Sequence, residues 1–188
     1  MSDADSAAAA VAPTFTCRLA RSPAERRDYF ALRREIFCDE QGLFAGDDRD
    51  EWDDGAYPII CVLGTDTGMA DDARVVGVVR LWETADGDWW GGRLGVQAQF
   101  RTAATVGRRL VQTAVGTARA WGAWRFRATV QRANVAFFRR LRWQTLEEIE
   151  LHAQVHHLMQ ADLGWYAPIA EPRPAPFAAR PAKDRDAA

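Results

Sequence analysis

The chain has 188 residues, 48% of them hydrophobic, enough for one globular domain with a core of its own. Lys+Arg (24) and Asp+Glu (26) nearly balance, which removes the bulk electrostatic case for nucleic-acid binding. No apolar run approaches the roughly 20 residues that a membrane-spanning helix needs, and three cysteines without CxxC spacing read as reduced thiols rather than a disulfide frame or a metal site.

Residues 1–13 are rich in Ala, Ser and Asp and are expected to form a flexible tail. They carry acids where a secretory leader carries bases, so a cytoplasmic protein is expected. FTCRLA (15–20) alternates like a short strand. Ser22 before Pro23 marks a helix start, an N-cap followed by proline in the first turn. That helix carries Tyr29, Phe30, Leu32, Arg33, Ile36 and Phe37 at helical spacing and closes at Gly42. DDRDEWDDG (47–55) is expected to be a solvated acidic loop. Its alternatives are a seat for a cationic amine or a divalent ion, although calcium-loop spacing is missing.

PIICVLG (58–64) and RVVGVVRLWE (74–83) are strands. TADGDWWGG (84–92) is a turn in which Trp89 and Trp90 are partly exposed, as an acceptor wall or a homodimer contact. RLGVQAQ (93–99) is the next strand. A helix from about Thr105 to Trp121 puts Val106, Leu110, Val111, Ala114, Val115 and Ala118 on one face. WRFRATVQ (124–131) is a strand, ANVAFFRRL (133–141) a short helix, and TLEEIELHAQVHHLMQA (145–161) a final strand or two strand segments. The Pro/Ala-rich end, from 169 to 188, is expected to be disordered, leaving a domain at 14–168. The order β-α-β-β-β-α-β-α-β predicts an α/β sheet with helices on its faces.

RTAATVGRRLVQTAV (101–115) places very little side chain where a helix begins. A helix N-terminus offers backbone N–H groups and partial positive charge, and a phosphate can sit there when nothing blocks it. Ala103, Ala104 and Gly107 leave the approach open, and Arg101, Arg108 and Arg109 add charge. The plain alternative is an ordinary strand–loop–helix turn. Neither a P-loop nor a GxGxxG fingerprint is present.

GVQAQF, RTAATVG opening a helix, RFRATVQ, Asn134 and FFRRLRW (137–143) follow one another as in the GNAT superfamily of acyl-CoA-dependent N-acyltransferases, which the chain resembles over about residues 74–160. ALRREIFCDEQGLF (31–44), DRDEWDDGAYPIICV and HHLMQADLGWYAP (156–168) resemble a nitrogen-starvation-associated family of GNAT-type acyltransferases. Some of its members are fused to a domain related to aminoimidazole ribonucleotide synthase. Three positions depart from the superfamily pattern: one extra residue lies between Arg101 and Gly107, Phe138 stands where a tyrosine often serves as general acid, and Arg142 replaces the glycine before the last aromatic residue.

The resemblance implies a mixed, mostly antiparallel central sheet, split by a V-shaped cleft between strands 93–97 and 124–130, with helices on both faces. It implies acetyl-CoA or another acyl-CoA as co-substrate. Backbone of Leu94, Gly95 and Val96 would pair with the pantetheine arm. Amides of Ala103, Ala104, Thr105, Val106, Gly107 and Arg108 would hold the pyrophosphate beside Arg101, with Asn134, Phe137 and Phe138 flanking the cofactor. An N–H near Val96 would polarise the acyl carbonyl. A small-molecule amine would attack directly and a base would take its proton.

The base candidates are Glu83, His156 and His157. Each has a plainer reading: a solvated strand-end acid for Glu83, ordinary packing for the histidines. Adjacent strand residues point to opposite faces, so at most one of the two histidines faces the acyl group; His152 is expected to be exposed. Glu40, Gln41 and Arg80 are candidate acceptor contacts, with a solvated turn as the alternative for the first two. No resident metal and no membrane or nucleic-acid partner is implied. Three classes stay open: an acyltransferase, an acyl-CoA-binding module without turnover, and a partner of another biosynthetic protein.

Overall fold

The computed structural model describes residues 14–64, 74–102, 104–151 and 154–175. Ala103 and His152, both named above, lie outside the described residues, as do the tails 1–13 and 176–188. The elements run β1 (Phe15–Leu19), α1 (Pro23–Arg34), β2 (Tyr57–Leu63), β3 (Arg74–Glu83), β4 (Trp89–Val96), α2 (Thr105–Ala120), β5 (Phe126–Gln131), α3 (Val135–Arg140), β6 (Trp143–Leu151) and β7 (Gln154–Ala161). The described strands form one sheet of order β1-β2-β3-β4-β5-β7-β6. All pairs are antiparallel except β4–β5, which is parallel. This is the mixed, mostly antiparallel sheet with helices on both faces that the resemblance implies, and 145–161 does divide between two strands.

Helix α1 starts as its sequence dictates. The Ser22 hydroxyl accepts from the Glu25 N–H while the Glu25 carboxylate accepts from the Ser22 N–H, a reciprocal box that satisfies two orphan donors. The helix continues into a π-helical turn, Glu35–Glu40, and Gly42 then turns the chain at φ +61°. Tyr29, Leu32, Ile36 and Phe37 pack on one face of β2 and β3, against Ile60, Val62, Val75 and Val78. Helix α2 covers the other face with Val106, Leu110, Val111, Ala114, Val115 and Ala118. Strand β3 is therefore covered on both sides, which is why Val75 to Trp82 is an unbroken buried run rather than an alternating one. Gly77 lets α2 descend: a Cβ there would lie 2.8 Å from Val106 Cγ1 and 2.9 Å from Leu110 Cδ1.

Two expectations need correction. Strand β4 begins at Trp89, not after Gly92, and Trp89 is buried against Tyr57 and Trp121 instead of lying in an open turn. Trp90 stacks on Trp82, which stacks on Trp52. The segment after residue 168 is also not loose throughout. Ile169 N–H donates to Gly116 O, Trp121 Nε1 donates to Glu171 O, and Arg173 donates to Tyr57 Oη and Glu83. The Arg173 guanidinium sits 5.0–5.6 Å from the ring centroids of Trp89, Tyr57 and Trp121, a cation–π clasp that straps this segment to the body.

Strands β4 and β5 pair only from Trp89↔Phe126 to Gly91↔Ala128, and then part. The closed end is stapled by Asp88, whose carboxylate accepts from Arg125 and Arg127. The parting coincides with a bulge. Val78 faces Gly95 and Arg80 faces Gly92, so two residues of β4, Arg93 and Leu94, stand opposite Val79 alone. Arg93 takes φ +54°, and the bulge bends β4 away from β5.

Candidate active site

The split holds a cavity of about 510 Å³. Its walls come from both faces of the sheet. Phe37, Gln41, Leu43 and Phe44 stand on the α1 side, and Val111, Ala114, Val115 and Phe138 on the α2 side. Between them lie Gly92, Arg93 and Leu94 of β4, Thr129 and Gln131 of β5, and Gln154 and His156 of β7. A gap that passes between two strands lets two reactants meet from opposite sides of the sheet.

The predicted phosphate cradle lies at the start of α2, just beyond the end of β4. Its N-cap, Ala104, is left-handed at φ +51° and supplies no capping side chain; its carbonyl accepts from the Arg108 N–H at 3.0 Å. Gly107 packs against the end of β4 and α3: a Cβ there would lie 3.4 Å from Phe137 Cζ and 3.9 Å from Val96 Cγ2. Ala104 and Arg108 are exposed, Thr105 is half-buried and Val106 turns into the core. The expected arginines behave differently from one another. Arg101 donates through Nε to Val96 O (2.6 Å) and through both terminal nitrogens to Glu40 (2.5 and 2.7 Å). That pairing holds the Glu40 carboxyl below its ordinary range and raises the Arg101 guanidinium. Arg109 reaches away to Phe15 O, and Arg108 is exposed at the helix start.

The backbone positions also divide. Leu94 lines the cavity; Gly95, facing Ile36 and Phe37, and Val96, its carbonyl taken by Arg101, are not among the lining residues. Asn134 and Phe138 line it, and Phe137 packs edge-on against Phe138. Phe138 stacks edge-on against Trp143 and offers no proton.

Of the three base candidates, the geometry brings one to the cavity. His156 lines it and is half-buried. Its Nδ1 lies 3.0 Å from Gln154 O, and since a carbonyl only accepts, Nδ1 carries the proton and Nε2 is the basic nitrogen of the neutral ring. His157 points to the other face, buried, with Nδ1 3.3 Å from Thr145 Oγ1. Glu83 sits at the far end of β3 and pairs with Arg173 at 2.6 Å. Gln41 lines the cavity, whereas Glu40 is committed to Arg101.

Arg80, expected to touch the acceptor, is 2% exposed and belongs to a network that also overturns the expectation of a solvated acidic loop. Arg80 clamps Asp50 at 2.5 and 2.6 Å and reaches Asp53 at 2.9 Å. Arg33, fully buried, donates to Asp48 at 2.8 Å and to Asp53 at 2.5 and 3.0 Å. Arg93 donates to Asp48 and Asp50. Burial alone would raise the Asp53 carboxyl, but the Arg33 hydrogen bond and the Arg80 and Arg33 charges hold it at about 2. The loop is thus an internal tie that joins α1, β3 and β4 through Arg33, Arg80 and Arg93. Sequence reasoning missed Arg93 and this tie; the available signal was Arg33, a cation on an apolar helical stripe, which required an acid partner.

No protein-family model and no curated protein matches the chain. Solved structures do. Escherichia coli ElaA superposes with a TM-score of 0.63 at 19% identity, covering 80% of this chain and 99% of that one. An acyl-CoA N-acyltransferase from Pseudomonas aeruginosa gives 0.59 at 17%, covering 79% and 99%. An acetyltransferase of the GNAT family from Staphylococcus aureus gives 0.58 at 10%, covering 78% and 99%. The chain has the GNAT fold. Identity this low conveys the architecture and not the substrate. Among the described residues, no helix is long and apolar enough to cross a membrane.

Proposed function

We propose that the protein is an acyl-CoA-dependent N-acyltransferase that moves an acetyl or similar acyl group to the amine of a small molecule in the cytoplasm. The observation that carries this reading is the split between β4 and β5, open to both faces of the sheet, with a helix start whose N-cap makes no side-chain hydrogen bond following just after β4 in the chain. The residues fit the co-substrate. Ala104 places no capping side chain over the amides at the start of α2, Arg108 supplies a cation, and Leu94 and Asn134 line the cavity that would take the pantetheine arm. The front-end resemblance to the nitrogen-starvation-associated family is part of the same proposal.

In this reading the neutral amine nitrogen attacks the thioester carbonyl carbon and a C–N bond forms. The carbonyl oxygen takes negative charge beside the β4 backbone. His156 Nε2 accepts the proton that the nitrogen sheds, directly or through one water. The C–S bond then breaks, the sulfur leaves as thiolate and takes up a proton, and the products are an amide and free CoA. Most of the acceleration comes from holding amine and thioester in line within the cavity.

A second reading, an acyl-CoA-binding module without turnover, is favoured by Phe138, which supplies no acid to the leaving thiolate. Thiol release from acetyl-CoA over a panel of amines separates the two. Release above the hydrolytic background establishes transfer; saturable CoA binding with no release for any amine establishes the module.

A further inference from the structure

Resting on the acyl-transfer reading, we propose that the acceptor is an amine that also bears a carboxylate, and that Arg93 is the residue that recognises it. Among the described residues no carboxylate lines the cavity, and Arg93 is its one permanently charged side chain. The acids that could have drawn a cationic acceptor are spent: Asp48, Asp50 and Asp53 are matched by Arg33, Arg80 and Arg93.

Arg93 is held but not saturated. Its Nε donates to Asp48 Oδ2 at 3.0 Å, and its Nη2 to Asp48 O at 2.8 Å and Asp50 Oδ2 at 3.1 Å. Its Nη1 makes no hydrogen bond with any described residue. The Phe44 ring lies 4.4 Å from the guanidinium, bracing it from the cavity rim. Burial, then the charge of Arg80, weighs against the Arg93 cation, with Arg33 adding to it and Asp50 and Asp48 only partly offsetting it. A further anion at this point relieves that imbalance. The left-handed backbone at Arg93 places this side chain on the bulge where β4 turns into the cleft, the kind of strained position that clusters at ligand clamps.

The two banks then divide the acceptor. A carboxylate meets Arg93 Nη1 on the β4 bank. The amine faces His156 on the β7 bank, beside Gln131 of β5. This is the pattern of an amino acid or an amino-acid-like metabolite, not of a polyamine or a basic peptide.

The test uses matched acceptors on the full-length protein: amino acids, their carboxamides and their decarboxylated amines, compared at equal free-base concentration. Thiol release from acetyl-CoA is measured alongside calorimetric binding in the presence of CoA. The expected result is a kcat/KM for the acid at least about tenfold above its amide, the size of one charge-assisted contact. Arg93→Gln should bring that ratio close to one, and Arg93→Lys should keep part of it. Amides or decarboxylated amines used as well as the acids would overturn the assignment. So would a preference that survives Arg93→Gln. If that variant does not fold, the wild-type ratio alone decides. Acids that bind at least tenfold more tightly than amides, with no thiol released, would sink the acyl-transfer reading and leave the Arg93 site standing. Equal binding, or none, would sink the Arg93 site.

Discussion

Arg101 and Glu40 meet as a bidentate ion pair at 2.5 and 2.7 Å although 61 residues separate them in the chain. Their side chains are 38% and 41% exposed, so the pair contributes little stability, at most about 1 kcal/mol. Its larger effect is electrostatic: Glu40 cancels a cation beside the start of α2. Glu40→Gln should leave the melting temperature nearly unchanged. It should tighten CoA binding by roughly two- to fivefold at low salt, a gain that fades as ionic strength screens it. Calorimetry at two salt concentrations checks this; identical affinity for the two proteins would show that Arg101 does not face the phosphates.

Gly107 offers a sharper test of the cradle. A glutamate there places bulk and negative charge at the helix start, where the Phe137 ring already lies 3.4 Å from the Cβ position. Negative charge in a first helical turn favours the helix itself, so the fold should persist within about 1 kcal/mol. CoA affinity should fall by about a hundredfold or more. A folded Gly107→Glu protein that still binds CoA normally would remove the phosphate assignment.

The elements that sequence reading recovered share a property: their periodicity is set by one neighbour at a time. Helices α1 and α2 announce themselves through Ser22–Pro23 and through apolar stripes. The first half of strand β4, residues 89–92, lies in a stretch that reads as a turn, TADGDWWGG, while its second half reads as a strand. Gly91 is a strand residue whose missing side chain admits the Phe126 ring; a Cβ would lie 2.9 Å from Phe126 Cε1. That requirement comes from β5, 35 residues on, and leaves no local trace. The acidic loop failed for the same reason: its partners Arg33, Arg80 and Arg93 come from three different elements. The choice between His156 and His157 also needed the structure, because alternation says that one faces the cleft but not which.

His156 should control the acidic limb of the pH–rate profile. Its Nε2 must be unprotonated to take the proton of the amine, so protonating the ring removes the base. His156→Ala should lower kcat by about a hundredfold and flatten that limb. Glu83→Ala, which breaks only the Arg173 clasp, should cost stability and leave the profile in place. A His156→Ala enzyme with an unchanged acidic limb would remove the base assignment. A flattened limb in Glu83→Ala would transfer the role to Glu83.

Arg33 predicts how the fold fails in acid. It is fully buried and ties Asp48, 1% exposed, and Asp53, 8% exposed, to α1. The folded-state pKa of Asp53 is about 2, below its ordinary value of 3.8. A depressed carboxylate stabilises the fold above its unfolded pKa, and that contribution fades as pH falls from about 4 toward 2. Denaturant midpoints should therefore be flat above pH 5 and drop across that window, where Asp50, also lowered, adds to the loss. Arg33→Leu keeps an apolar side chain on α1 but leaves three carboxylates, Asp48, Asp50 and Asp53, to two arginines, Arg80 and Arg93. An uncompensated buried charge costs about 3–5 kcal/mol, so the variant should unfold at markedly lower urea. Adding Asp53→Asn should recover part of that loss and remove part of the acid transition. If the double variant keeps the wild-type acid profile, the charges that fail in acid lie elsewhere and the Arg33 tie does not govern the stability of the loop.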